Sequence, residues 1–283
     1  MSASSSCTLD LALTITTHCR RRDLVTMDLG LEGRTALVCA STKGLGRATA
    51  EALAAEGVAV AINGSDAARV EEVAQGVPGA IAAPGDMTSI DGARAACSAA
   101  QEALGGLDIV VLNGPGPGPG PAADLTGDDA HAAAERLVGP QVELVSRVVP
   151  GMRARGWGRI IAVSSSAVQA PIAGLALSNL GRPALLGYLK TLASEVASDG
   201  VCVNAVLPGE FATDRVSAIY EDLAEKRGVP VEEVHREALA EIPAGRYGKP
   251  EEFGALVAYL ASTHAAFITG TTVRADGGML PTL

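Results

Sequence analysis

From Gly33 onward the chain alternates short apolar runs rich in Val, Ile and Leu with longer Ala-rich stretches of helical period. The short runs are TALVCA (35–40), VAVAIN (58–63), AIAA (80–83), DIVVLN (108–113), RIIAVS (159–164), VCVNAVL (201–207) and TTVRA (271–275). Their near-continuous apolar character fits parallel strands covered on both faces rather than strands with one wet face. Between them, GRATAEALAAEG (46–57), SIDGARAACSAAQEALG (89–105) and LLGYLKTLASEVASDG (185–200) carry apolar residues at helical spacing. The alternation predicts an α/β fold: a doubly wound, mostly parallel sheet of about seven strands in a single domain. Such sheets bind ligands at the carboxyl ends of their strands.

Two segments break the rhythm. NGPGPGPGPAADLT (113–126) comes directly after a strand, and its prolines remove donors while its glycines add freedom, so neither helix nor ladder is expected. It reads as a stiff surface loop, with a place in an active-site wall as the functional alternative. Residues 214–250 form a charged helical insertion between the sixth and seventh strands, a candidate substrate lid. Residues 1–26, rich in Ser and Thr, differ in character from the rest of the chain, and Met27 opens MDLGLEGRTALV. They read as a disordered tail or a wrongly assigned start, with a targeting peptide as second choice, and leave 27–283 as the domain.

Composition narrows the partners. The 283 residues are 48% hydrophobic and 3% aromatic, with a formal net charge of −10. That charge repels phosphate backbones and anionic lipid, so neither nucleic acid nor membrane is an expected partner. No apolar run reaches the roughly 20 residues that cross a bilayer. Cys7, Cys19, Cys39, Cys97 and Cys202 show no metal-ligand spacing, so no metal is expected, and they read as small residues in a reducing cytoplasm.

The first strand runs into CASTKGLGRATA. Gly44 and Gly46 open an Ala-rich helix, where free N–H groups and close backbone approach suit a pyrophosphate. Here, from about residue 30 to the end, the chain resembles the short-chain dehydrogenase/reductase family, closest to its β-ketoacyl-carrier-protein reductase-like branch. Its Rossmann-type loop pattern Thr-Gly-x-x-x-Gly-x-Gly is matched by Cys39 to Gly46, with Ala40 in place of the first glycine. GDMTS (85–89), VLPGEFATDRV (206–216) and FITGTTVRADGGML (267–280) match later family segments. The resemblance implies an NAD(P) cofactor contacted by Ser41, Lys43, Gly44, Leu45 and Gly46 in the loop. Asp86 would lie beside the adenine, and Asn113, Pro208, Gly209 and Thr213 nearer the nicotinamide. Gly64 stands where NAD-specific members place an acid, and Ser65 and Lys43 occupy positions that NADP-using relatives make basic. NADP(H) is therefore favoured over NAD(H).

Family chemistry is hydride transfer, with a tyrosine moving the proton, a lysine lowering that tyrosine's pKa, a serine orienting the substrate and an asparagine completing a relay. The resemblance assigns Ser165 to the serine position. It puts Ser178 at the tyrosine, Arg182 at the lysine and Leu137 at the asparagine. Serine is too weak an acid to replace a phenol, and arginine stays charged, but Arg182 can supply fixed positive charge to a developing alkoxide. Tyr188 lies roughly 15 Å along the same helix from Ser178 and reads as a packing residue. Tyr220 and His235 in the lid are substitute acids only if they swing over the site, and His131 and His264 match no family site. Ser164-Ser165-Ser166 lacks the Gly-x-Ser-x-Gly elbow of a hydrolase.

The leading expectation is an NADP(H)-dependent oxidoreductase acting on a small-molecule carbonyl or secondary alcohol through this non-standard site. Two alternatives stay open: a redox-neutral cyclase, epimerase or dehydratase, and a non-catalytic binding subunit. The resemblance also implies a homodimer or homotetramer, with a hetero-oligomer as a further option.

Overall fold

The computed structural model describes residues 27–282, so the expectations for residues 1–26, and Cys7 and Cys19 with them, lie outside the described residues. The seven apolar runs form β1 (Thr35–Val38), β2 (Ala59–Ile62), β3 (Ile81–Ala82), β4 (Ile109–Leu112), β5 (Gly158–Val163), β6 (Val201–Pro208) and β7 (Thr272–Ala275). They pair in parallel throughout, in the order β3-β2-β1-β4-β5-β6-β7. The chain winds outward from β1 to β3 and then returns to lay β4 against the other side of β1. Between those two strands the order reverses, and the crevice of a doubly wound sheet opens at their carboxyl ends.

Strand side chains alternate between faces, and both faces are covered, which is why the runs read as continuously apolar. Leu37, Val110, Leu112, Ile160 and Ala162 pack on one side, against α3 (Ile90–Leu104), α5 (Gly139–Arg155) and α6 (Ala176–Val196) through Cys97, Leu144 and Leu189. Ala36, Val38, Ile109, Val111 and Ile161 pack on the other, against α1 (Gly44–Ala55), α2 (Ala67–Gly76) and α9 (Pro250–Ala261) through Leu53, Val73 and Phe253. Burying each large side chain is worth about 1.5–3 kcal/mol. Polar residues fix where helices start. The Ser89 hydroxyl accepts from the Gly92 N–H, and Thr126 and Asp129 cap α4 (Gly127–Leu137) reciprocally.

The lid candidate contains two helices, α7 (Asp214–Arg227) and α8 (Val231–Ala240), which share a small apolar cluster of Tyr220, Ala224 and Val234. The loop at 113–126 departs from expectation in one respect. Gly120 pairs with the chain before α6, its N–H donating to Gly174 O at 2.7 Å and its carbonyl accepting from the Ala176 N–H at 3.2 Å. A glycine keeps the donor that the prolines lack. Strand β3 is two residues long rather than four, an edge strand paired only with β2.

Candidate active site

The cleft starts at the turn after β1. Ala40 has φ 47°, a left-handed conformation that glycine usually supplies, and it is the one non-glycine residue with positive φ among the described residues. Asn63, fully buried at the end of β2, holds it there. Its Oδ1 accepts from the Ala40 N–H at 3.0 Å, and its Nδ2 donates to Ala83 O at 2.9 Å and Gly85 O at 3.0 Å. Ala40 therefore adopts the left-handed turn conformation that the family's glycine would supply. Asn113 Nδ2 reaches the Ala40 carbonyl at 3.5 Å and ties the end of β4 to it.

Ser41 corrects the sequence reading. Its hydroxyl donates to Val38 O at 2.7 Å and accepts from the Asn63 N–H at 3.0 Å, its N–H donates to Asn63 O at 2.8 Å, and the residue is fully buried. Nothing remains to meet a ligand, so Ser41 shapes the loop. Gly46 is fixed by close approach, since a Cβ there would lie 2.3 Å from Ala40 O. Gly44 has φ 56° and looks across at Thr213, whose Cγ2 would be 3.7 Å from a Cβ at that position. The β6–α7 turn thus faces the glycine loop. Leu45, the second residue of α1, is half-buried and packs on the core.

Lys43 is exposed at the N-cap of α1, and its side chain makes no cap bond. At the end of β2, a Cβ on Gly64 would lie 2.8 Å from Thr42 Cγ2, so a longer side chain there would displace the loop. Ser65 is exposed, and the Asp66 carboxylate turns into α2, accepting from the Arg69 N–H at 3.1 Å. Asp86 is exposed after β3 and accepts from the Thr88 N–H and hydroxyl, both at 2.9 Å. Pro208 ends β6 and Gly209 follows it, with a Cβ on Gly209 falling 2.7 Å from Asp276 Cα.

Ser178 and Arg182, four residues apart on α6, meet directly. Arg182 Nε donates to Ser178 Oγ at 3.2 Å, while Nη1 donates to Val163 O at 3.2 Å and Ser164 O at 3.1 Å at the end of β5. Burial, and then the charge of Arg215, pulls the guanidinium pKa below the usual arginine value. Ser165 is half-buried just beyond β5, its Oγ accepting from the Ala167 N–H at 3.2 Å. Leu137 packs onto Gly181 of α6, so an apolar side chain fills the relay position. Asn113, Gly114, Pro115, Leu137, Gln141 and Arg182 line one cavity. Of the loop at 113–126, its first three residues, Asn113, Gly114 and Pro115, line this cavity.

The other tyrosine and histidine candidates do not join this set. Tyr188 packs against the core. Tyr220 is buried in the lid and donates to Glu210, while His235 Nδ1 meets the Tyr247 hydroxyl at 2.9 Å. Burial, then the bond to Glu210, pushes the Tyr220 phenol up. His131 pairs with Glu135 at 3.5 Å, and His264 Nε2 contacts Asp28 O at 2.7 Å. Three residues that matter here escaped the sequence reading. Asn63 was signalled only as the polar end of an apolar strand, and Gln141 and Arg215 carried no local signal.

A seven-stranded parallel sheet with a glycine turn at its switch point defines the Rossmann-type class. Comparison with known proteins narrows it. Residues 39–280 match a family model described as enoyl-(acyl carrier protein) reductase. The D-beta-hydroxybutyrate dehydrogenase of Cupriavidus necator is 33% identical over 253 residues, covering 88% of this chain and 98% of that protein. The 3-oxoacyl-(acyl-carrier-protein) reductase FabG of Vibrio cholerae is 33% identical over 256 residues, covering 89% and 99%. L-sorbose reductase from Gluconobacter frateurii, solved with NADPH and L-sorbose, superposes with a TM-score of 0.85 at 30% identity, covering 91% of this chain and all of that one. The chain belongs to the short-chain dehydrogenase/reductase family of NAD(P)-dependent oxidoreductases, on its FabG-like side.

Proposed function

We propose that the protein is an NADP(H)-dependent oxidoreductase that reduces a carbonyl, or oxidises a secondary alcohol, with Ser178 and Arg182 in place of the family's tyrosine and lysine. The observation that carries this reading is the Arg182 Nε to Ser178 Oγ bond of 3.2 Å, with the guanidinium anchored on two β5 carbonyls. The pair is built and held rather than left as a surface accident.

The residues fit the cofactor. The Ala40 turn keeps the glycine geometry, and Gly44 leaves the loop face clear toward Thr213. Lys43, Gly44, Gly46, Asn113, Pro208, Gly209 and Thr213 would hold it, with Ser65 and Asp86 at the far end. NADP(H) is favoured because Gly64 offers no acid to repel a 2′-phosphate, Asp66 is engaged as a helix cap and Lys43 is exposed nearby in the loop. Bound NADPH supplies the hydride for the carbonyl carbon.

The chain's own residues manage the oxygen. Ser165 and Ser178 donate hydrogen bonds to it. Arg182, donating to Ser178 Oγ, strengthens that hydroxyl as a donor and adds positive charge where the alkoxide develops. Neither serine nor arginine releases a proton readily near neutral pH, so the alkoxide takes its proton from water or from a substrate group. Carbonyl, hydride and proton give the alcohol and NADP⁺.

The test uses the full chain with NADPH, NADP⁺, NADH and NAD⁺, followed by a ketone panel. NADPH at about a hundred times its Kd should stabilise the protein by roughly 2.7 kcal/mol, with saturable NADPH oxidation on at least one ketone. Tight NADPH binding without turnover would favour the redox-neutral reading, which Leu137 in the relay position also supports. No binding of any nucleotide would leave the binding-subunit reading. The family's homodimer or homotetramer is proposed for this chain too, and light scattering tests it.

A further inference from the structure

The protein's formal net charge is −10, yet its cleft is cationic. Arg136 and Arg182 line the same cavity, and Arg215, in the first turn of α7, comes up to it. Among the described residues none of these three pairs with a carboxylate, whereas Arg94, Arg147, Arg153, Arg227 and Arg246 each do. A methyl group built on Gly116 would lie 2.8 Å from Arg215 Nη2 and 3.6 Å from Arg182 Nη2. Two guanidinium edges therefore converge on Gly116, close to one another. Arg182 has spent Nε and Nη1 on Ser178, Val163 and Ser164, so Nη2 is the group it keeps for a ligand.

Like charges held this close disfavour one another unless an anion lies between them. A second observation points to the same place. Gln141, on the wall of this cavity, is 5% exposed, and its Oε1 has no hydrogen-bond partner. A buried amide oxygen left unpaired is costly, and a polar ligand removes that cost.

The geometry points to an oxo acid as substrate: a carbonyl compound whose carboxylate is held by Arg182 Nη2 and Arg215, with Gln141 meeting a further polar group of the same molecule. This assignment rests on the carbonyl-reduction reading and names its substrate class. Guanidinium forks match the planar carboxylate and give charge-assisted bonds. Glycine at 116 lets Arg215 come this close, because a Cβ there would meet its Nη2 at 2.8 Å. Arg215 is exposed, so the preference for acids weakens as ionic strength rises.

The experiment compares wild type with Arg215→Gln, using NADPH and three probes, pyruvate, acetoacetate and levulinate, each against its methyl ester. At least one acid should exceed its ester by roughly ten- to a hundredfold in kcat/KM. In Arg215→Gln that preference should collapse through KM, with ester turnover and NADPH Kd unchanged. Equal use of acids and esters by wild type overturns the assignment. So does weaker NADPH binding in Arg215→Gln with the acid preference intact, which would give Arg215 to the cofactor's phosphates. If no carbonyl turns over, thermal shifts with the same probes in the presence of NADPH separate the two ideas. Stabilisation by an acid and not its ester, lost in Arg215→Gln, keeps the anion site and rejects reduction; no stabilisation by any acid overturns the anion site.

Discussion

The Ala40 N–H donates to Asn63 Oδ1 at 3.0 Å, and this bond steadies a left-handed alanine where the family pattern has glycine. Asn63 also donates to Ala83 O and Gly85 O, so one side chain joins β1, β2 and the turn after β3. Replacing it with alanine leaves an N–H and two carbonyls short of partners. Asn63→Ala should cost about 3 kcal/mol. The expected fall in Tm is roughly 6–12 °C. The opposite sign is expected at Ala40, because glycine removes the steric cost of positive φ. Ala40→Gly should gain up to ~1 kcal/mol, offset in part by unfolded-chain entropy, as read by urea denaturation.

On the proposed NADP(H) reading, cofactor choice rests on few groups. Lys43 is exposed at the start of α1 and makes no cap bond, so its charge is available to a 2′-phosphate. Lys43→Ala should weaken NADPH binding about tenfold while leaving NADH unchanged. Fluorescence titration of both nucleotides against both proteins reads the difference. An equal loss for the two would move Lys43 to the shared phosphates.

Acid sensitivity should pass in part through Glu252. Arg246 donates to it twice, at 2.8 and 2.7 Å, and the Lys249 N–H donates at 2.8 Å at the start of α9. These bonds hold its carboxyl at about 2, down from 4.5. A depressed folded pKa means the contribution is complete above about pH 4.5 and disappears as pH falls toward 2. Glu252→Gln should therefore be less stable than wild type at pH 7, and the two should converge as pH approaches 2. Urea midpoints across pH 2–7 test this, and parallel curves would contradict it.

Much of the fold is legible because buried parallel strands and amphipathic helices are written locally: the runs at 35–40 and 108–113 carry β1 and β4 without outside help. The glycine loop is legible for the same reason, since Gly44 and Gly46 sit at the strand-to-helix junction. Ser41 misleads because a hydroxyl in a phosphate-type loop reads the same whether it faces a ligand or the backbone. The loop at 113–126 is ambiguous in sequence because wall and surface share one composition. Arg215 and Gln141 are illegible for a different reason: they reach the cleft only once the start of α7 and the start of α5 are folded against the carboxyl ends of the strands, a long-range consequence of topology.

The most direct test of whether Arg182 acts through Ser178 on the reacting oxygen is the kcat of Arg182→Ala against wild type on a carbonyl substrate under saturating NADPH. Removing a preorganised donor to a developing oxyanion costs about a hundredfold or more in rate. A fall of that size in kcat, in a variant whose Tm shows that it remains folded, is the predicted result. Full retention of kcat would contradict this role, because the buried guanidinium would then have no part in the chemistry.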